Sequence, residues 1–230
     1  MRRQNWQRAA IALVAATWVC GTFGIGAGNA PQPVDYANLP TEFGQTWVSD
    51  VYWRDHRLYV VQLGCLTVFR TVPNYFDQTG THAMEWLGYR AINGGDLVGV
   101  VASKAGDVFV SHVKTQKIWK LSRAPDLNAS VWASFPEEIP DRIDGGGLGI
   151  DKVTGDVYLA TGKAVWRFTA DYEEANGALQ AGKCERVYAG PCYDVAVGKG
   201  GTLYITRPQE DLTSLSIRKP DGTAEDISRR

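Results

Sequence analysis

The chain repeats a short pattern of apolar residues four times. Each copy reads aliphatic, aromatic, aliphatic, and the first residues of successive copies lie 50, 49 and 46 positions apart. An internal period of this length is typical of proteins built from repeated structural units. The four copies are Leu58-Tyr59-Val60, Val108-Phe109-Val110, Val157-Tyr158-Leu159 and Leu203-Tyr204-Ile205.

Each copy lies inside a longer unit with the same order of apolar and polar positions. An apolar run and a polar turn precede it, and a bulky apolar residue followed by a basic one comes after it. Four short strands in a period of about 48 residues indicate propeller blades. The sequence therefore predicts an all-β fold, a β-propeller of about four four-stranded antiparallel blades. Its ring is either closed by itself, short and incomplete, or completed by another chain.

The N-terminus has the layout of a targeting segment. Residues 1–8 are polar and basic, residues 9–20 are uncharged and mostly apolar, and residues 21–30 are small and rich in glycine. This order is typical of a cleaved signal peptide. Residues 9–30 form an uncharged stretch that is also long enough to be an uncleaved membrane anchor. Either interpretation places the protein in a secreted or extracytoplasmic location, with membrane contact only through an uncleaved segment.

The domain organisation follows from these observations. Residues 1–30 are the signal peptide or anchor, residues 31–45 are a lead-in segment rich in proline, and residues 46–230 are the propeller domain. The lead-in could supply a closing strand, in an edge position only, because proline has no N–H group to donate to a sheet.

The charge distribution argues against a nucleic-acid partner. The whole chain has a formal net charge of −1, and residues 1–30 contain three arginines and no acid. The remaining residues therefore hold 21 basic and 25 acidic side chains, a net charge of −4. Proteins that bind the phosphate backbone usually have a basic excess.

Three cysteines follow the N-terminal segment. Cys184 and Cys192 are eight positions apart across Gly190 and Pro191. In an oxidising compartment this spacing predicts a hairpin disulfide. Cys65 is then the odd one, either buried or paired between chains. Asn128 begins an Asn-Ala-Ser glycosylation sequon, which matters only in a host that glycosylates.

Two segments, GLGIDKVTGDVYLATGKAVWRFT at 147–169 and VYAGPCYDVAVGKGGTLYIT at 187–206, carry a resemblance to known families. They resemble the NHL-repeat propellers and the related gluconolactonase and regucalcin-like propellers. The resemblance covers residues 46–228 at the level of strand pattern. Those families usually have six blades, whereas this sequence has four units.

The resemblance implies a candidate metal site. Gluconolactonase-like propellers hold a divalent metal at the mouth of the central channel with oxygen ligands from loops that lead into the inner strands. Asp50, Asp144 and Asp194 lie near the corresponding loops of this chain. Their carboxylates would suit Ca²⁺ or another divalent cation, but no cofactor is certain. The alternative is that these aspartates only form turns, which is a common role of Asp.

Two functions remain open on this basis. The first is an extracytoplasmic binding protein without enzymatic activity, whose partner is a protein, a peptide or a glycan. The second is a divalent-metal-dependent lactonase or esterase of the gluconolactonase-like type. Whether the protein is an enzyme is uncertain, because no Ser/His/Asp or Cys/His grouping can be assembled from the sequence.

Overall fold

The computed structural model describes residues 48–62, 64–76, 82–92, 95–135, 143–173, 179–208 and 213–228. These residues form sixteen strands in four antiparallel sheets, each with four strands. The predicted all-β propeller with four four-stranded blades is therefore confirmed. The predicted signal peptide or anchor and the lead-in segment lie outside the described residues. In the described part, no helix is long and apolar enough to cross a membrane.

The first two blades use residues 48–134. Blade 1 consists of β1 (Val48–Arg54), β2 (Arg57–Gln62), β3 (Cys65–Phe76) and β4 (His82–Ala91). Blade 2 consists of β5 (Leu97–Ala102), β6 (Val108–His112), β7 (Lys117–Leu121) and β8 (Ala129–Ser134).

The last two blades follow the same plan. Blade 3 consists of β9 (Leu148–Ile150), β10 (Val157–Ala160), β11 (Ala164–Phe168) and β12 (Cys184–Ala189). Blade 4 consists of β13 (Asp194–Val197), β14 (Leu203–Pro208), β15 (Thr213–Arg218) and β16 (Ala224–Ser228). The strands of every blade pair in chain order.

The four repeated triplets fall on the second strand of each blade, β2, β6, β10 and β14. Successive side chains of a strand point to opposite faces of the sheet. Each triplet therefore sends bulky side chains to both faces of its blade. Since one blade cannot bury both faces alone, the blades stack against one another.

Three apolar clusters join consecutive blades in the described residues. The first joins blades 1 and 2 through residues such as Val61, Leu66 and Val110. The second joins blades 2 and 3, and the third joins blades 3 and 4 through residues such as Tyr158 and Ile205. The core is therefore divided among the interfaces between neighbouring blades.

Trp132 is the centre of the second cluster. Its ring centroid lies 4.6 Å from that of Phe109, 5.4 Å from that of Phe168 and 5.2 Å from that of Tyr172. Its indole N–H donates a 2.8 Å hydrogen bond to the Tyr172 carbonyl. A buried indole needs such a partner, so the hydrogen bond and the ring contacts together fix blade 3 against blade 2.

The first strands of successive blades lie next to one another, β1 by β5, β5 by β9 and β9 by β13. Between β5 and β9 the backbones approach closely at Gly99. Its N–H donates to the Ser111 hydroxyl over 2.8 Å, and that hydroxyl in turn donates to the Gly146 carbonyl. A Cβ atom on Gly99 would lie 2.8 Å from the Leu148 nitrogen and would overlap the Gly146 oxygen. Glycine at this position is thus required by the contact between blades.

We expect Gly99→Ala to destabilise the protein. The added methyl group meets backbone atoms that cannot rotate away, and overpacking of this kind costs about 1–3 kcal/mol. Gly64→Ala is the matched control, because a Cβ atom there would lie at an ordinary contact distance of 3.6 Å from the Gly95 Cα. Urea denaturation should give a lower free energy of unfolding for Gly99→Ala only. Equal stability of the two variants would contradict the close approach of β5 and β9.

Candidate functional site

Two carboxyl groups come together at the end of the ring where the first strands begin. Asp50 is the third residue of β1 and Asp194 is the first residue of β13. The first strand of every blade is innermost and all four run the same way along the axis. The two residues therefore lie at one mouth of the central channel, on blades 1 and 4.

The Asp50 carboxylate joins two blades. One oxygen, Oδ1, accepts a 2.8 Å hydrogen bond from the N–H of Val51, and Oδ2 accepts a 2.8 Å hydrogen bond from the N–H of Val100 on β5. Both oxygens are thus fixed by backbone donors. Asp50 therefore acts as a polar link between blades 1 and 2 as well as a charge at the mouth.

Asp194 is held in a similar way on blade 4. Its Oδ1 accepts a 2.8 Å hydrogen bond from the N–H of Val195, and its own N–H donates to Thr206 Oγ1 over 3.0 Å. Gly147 makes room for it, because a Cβ atom there would lie 2.6 Å from the Asp194 Cα. The glycines before β9 thus serve the site by letting Asp194 approach blade 3.

Both carboxyl groups bind protons more tightly than an ordinary aspartate. Desolvation raises the pKa of Asp194 to about 6, although its hydrogen bond from Val195 opposes the rise. Desolvation also raises the pKa of Asp50 well above its usual range, and the charge of Asp194 adds to the effect. Asp194 is exposed and Asp50 half-buried by solvent accessibility. Solvent at the mouth therefore reduces the free energy linked to these pKa shifts. The upward direction of the shifts follows from desolvation by the surrounding protein and from the two like charges.

The third predicted metal ligand, Asp144, does not join this pair in a metal-binding group. It is exposed and lies four positions before β9, where its N–H donates to the Thr161 carbonyl over 2.7 Å. No three His, Cys, Asp or Glu side chains converge in a group that could hold a metal ion within the described ranges. The reason is positional, because Asp50 and Asp194 lie within their inner strands whereas Asp144 lies in the loop ahead of one.

The predicted Cys184–Cys192 disulfide is not formed, because Cys184 is a free cysteine. Cys184 begins β12 and packs against the second apolar cluster, whereas Cys192 follows the strand and is buried in the third. Five strand steps of about 3.3 Å separate the ends of β12, well beyond the reach of a disulfide. Burial, and to a smaller extent the charge of Glu185, raises the pKa of the Cys184 thiol to about 12. Cys65 is buried and its Sγ lies 3.5 Å from Gln62 Oε1.

The glycosylation candidate Asn128 is exposed in the turn before β8, where its N–H donates to Ser122 Oγ over 2.9 Å. Glycosylation there stays a prediction. Asn128 also lines a cavity of about 500 Å³ between blades 2 and 3, together with Lys120, Trp132 and Asp171. Sequence reasoning missed this cavity because its walls come from segments about 40 residues apart.

The raised pKa of Asp194 predicts a pH-dependent stability. The folded state holds a proton on Asp194 up to about pH 6, whereas the unfolded chain releases it near pH 4. The folded state therefore binds more protons between these values, and the free energy of unfolding falls as the pH rises through this window. We expect Asp194→Asn to make this pH-dependent loss of unfolding free energy smaller by about 1 kcal/mol. A rise of two pKa units would give a larger effect at a site closed to solvent.

Urea denaturation at pH 4, 5, 6 and 7 measures this effect as the difference between variant and wild type. Asp126→Asn is the matched control, since Asp126 is exposed in the turn before β8 and the substitution changes the charge equally. The pH profile of Asp126→Asn should follow the wild type. A profile of Asp194→Asn that also follows the wild type would show that the carboxyl groups at the mouth are not coupled to folding.

Comparison with known proteins supports the fold. No protein-family model and no curated protein matches the sequence. Among solved structures, the chain is similar to the major allergen Mala s 1 of Malassezia sympodialis, with 12% identity, a TM-score of 0.50, and coverage of 76% of this chain and 60% of that one.

Two further structures give weaker likenesses. Virginiamycin B lyase from Staphylococcus aureus has 13% identity, a TM-score of 0.49 and coverage of 77% and 54%. Regucalcin from Agrobacterium tumefaciens, described as a calcium-binding protein, has 12% identity, a TM-score of 0.42 and coverage of 77% and 58%. The chain spans between half and two thirds of the length of these proteins. The four sheets of the structure themselves define the architecture: this chain is a four-bladed β-propeller.

Proposed function

We propose that the protein is an extracytoplasmic propeller that binds a cationic group of its partner at the channel mouth. The observation that carries this proposal is the Asp50–Asp194 pair, two carboxyl groups on blades 1 and 4 whose pKa values are raised by desolvation, with the charge of Asp194 adding to the rise at Asp50. The partner is a protein, a peptide or a glycan that presents an ammonium or guanidinium group.

The arrangement favours a cation for an electrostatic reason. Backbone N–H groups already hold three of the four carboxylate oxygens in place. The pair is therefore preorganised, and binding requires little further loss of side-chain freedom. A guanidinium or ammonium group neutralises the like charges and makes charge-assisted hydrogen bonds, which are stronger than neutral ones.

The alternative function is the metal-dependent lactonase or esterase. Ca²⁺ takes six to eight oxygen ligands, often from several carboxylates and carbonyls. Asp50 and Asp194 supply two carboxylates, and no third acidic, His or Cys side chain completes a group within the described residues. This donor set falls short of a metal centre that could polarise an ester. A divalent cation held mostly by water stays the competing occupant of the pair.

An arginine peptide and a calcium salt distinguish these occupants. In low-salt buffer at pH 7.5, we expect a tetra-arginine amide to bind the full chain, and Asp194→Asn to weaken this binding about 10-fold because half of the paired charge is lost. Isothermal titration calorimetry measures the affinity, with Asp126→Asn as the control of equal charge. Calcium chloride titrated in place of the peptide tests the alternative.

Two outcomes would contradict the proposal. One is peptide binding that is equally strong in wild type, Asp194→Asn and Asp126→Asn, since it would then be non-specific. The other is a response of Asp50 and Asp194 to calcium chloride without any response to the peptide, which would favour the metal-binding alternative.

The extracytoplasmic location rests on the N-terminal sequence. We expect residues 1–30 fused to alkaline phosphatase without its own leader to export the enzyme in bacteria, because phosphatase folds into its active form only after export. Leu13→Arg is the matched control, since a charge in the uncharged apolar stretch removes the hydrophobic segment that an export signal needs. Equal phosphatase activity of the two fusions, or none from either, would contradict this location.

A further inference from the structure

The cavity beside Trp132 lies between the outer parts of blades 2 and 3, and its volume is about 500 Å³. One wall comes from β7 and β8, the third and fourth strands of blade 2, through side chains such as Lys120 and Ser130. The other wall is the segment 170–173, which follows β11 of blade 3. Asp50 and Asp194 lie on innermost strands and are not among the residues that line this cavity. It is therefore a second concave feature, separate from the channel mouth.

The floor of the cavity is rigid. It is formed by Trp132 and Tyr172, which are both buried. A β-bulge between β7 and β8 makes Trp132 the extra residue of β8, and bulges of this kind re-aim a side chain. The Trp132 ring packs edge-on against that of Tyr172, and its N–H donates to the Tyr172 carbonyl. Because this hydrogen bond joins the two blades, the cavity is formed before any ligand binds, and binding costs little conformational freedom.

Ion pairs hold the two walls. On blade 2, Lys120 Nζ lies 3.0 Å from Asp107 Oδ2. On blade 3, Asp171 accepts a 2.7 Å hydrogen bond from Thr169 Oγ1, and Lys183 Nζ lies 3.0 Å from Asp171 Oδ2. These pairs are open to solvent and contribute little to stability, but they restrict where the charged groups of the walls can lie.

The lining is polar and has more acid than base. Carboxylates come from Asp107, Asp171 and Glu173, whereas Lys120 is the one basic side chain among the described lining residues. Even when Lys183 is counted against Asp171, one negative charge is in excess. The neutral polar side chains of the lining are Ser122, Asn128 and Ser130.

This lining selects among classes of ligand. An apolar ligand would leave the polar groups without hydrogen-bond partners, and an anionic ligand would be repelled by the excess of carboxylates. Lys120 disfavours a cation in the same way on the blade 2 wall. A neutral ligand rich in hydroxyl groups meets neither penalty, because a hydroxyl group both donates to carboxylates and accepts from an ammonium group.

The size of the cavity agrees with such a ligand. Pockets that bind small molecules have volumes of about 300–1,000 Å³, and the cavity lies inside that range, with room for about one or two sugar rings. Rigid walls that carry a few convergent polar groups are the usual form of such sites.

We propose that the cavity between blades 2 and 3 binds a neutral saccharide. The carboxylates of Asp107 and Glu173 accept hydrogen bonds from sugar hydroxyl groups, Lys120 donates one, and Trp132 supports the sugar from below. This site lies apart from the Asp50–Asp194 pair and does not depend on the binding of a cation there.

Ligand-observed NMR titration of the full chain tests this proposal with four neutral disaccharides, cellobiose, maltose, lactose and N,N′-diacetylchitobiose. The protein is produced in a bacterial host without N-glycosylation, so that Asn128 carries no attached sugar. We expect at least one of the four to bind, and digalacturonic acid, which is anionic, to bind at least about 10-fold more weakly than that disaccharide.

Two variants locate the binding. Ser130 is exposed and lies opposite Lys120 in the strand register, so Ser130→Phe fills the cavity and should weaken binding at least about 10-fold by steric exclusion. Phenylalanine is well tolerated in strands, and urea denaturation checks that this variant is folded. Glu173→Gln keeps the volume of the side chain and should weaken binding about 3-fold or more, because a charge-assisted hydrogen bond is lost.

Two further variants are the controls. Ile227→Phe adds the same ring on the outermost strand of blade 4, where Ile227 is 43% exposed, and it should bind the disaccharide like the wild type. Asp194→Asn should do so as well, which separates this cavity from the channel mouth. The proposal would be overturned by a lack of binding of all four disaccharides, by unchanged binding in Ser130→Phe and Glu173→Gln, or by loss of binding in Asp194→Asn. Tighter binding of digalacturonic acid would also overturn it, since the ligand would then be anionic.

Discussion

The structure depends on the stacking of blades through their side faces. A four-stranded blade is apolar on both faces, and it can hide them only against its neighbours. The alternation along β2, β6, β10 and β14 supplies large side chains to both sides, and the three clusters form where these sides meet. Polar links such as Ser111 between Gly99 and Gly146 then fix how closely the inner strands approach.

The architecture makes the two carboxyl groups at the channel mouth costly to ionise. Asp50 and Asp194 would be more easily ionised in solvent, yet the start of the inner strands brings them together under partial desolvation. Backbone donors offset part of the cost. Ionisable side chains whose charged form is destabilised in this way are common at binding sites, because the ligand relieves the penalty.

Much of the fold could be predicted because its signal is local and repeated. The triplet spacing located the second strand of each blade, and the turns on either side located the neighbouring strands. The site was harder, because it depends on offsets of a few residues. Asp50 and Asp194 reach the mouth within their strands, whereas Asp144 lies in a loop whose inner position is taken by glycines. The structure does not show the predicted cysteine pair, and the sequence spacing could not reveal that β12 lies extended between the two residues.

Features that join distant segments could not be read from the sequence at all. The cavity beside Trp132 arises only when blades 2 and 3 stand side by side.

The order of the described clusters makes local stability differ from blade to blade. Blades 2 and 3 are each supported on both sides, with the Trp132 cluster between them, whereas β16 of blade 4 is exposed over residues 224–227. In a stack of this kind, each unit is stabilised mainly by its nearest neighbours. We therefore expect thermal opening to begin at blade 4, whose outermost strand is exposed, and blades 2 and 3 to open last.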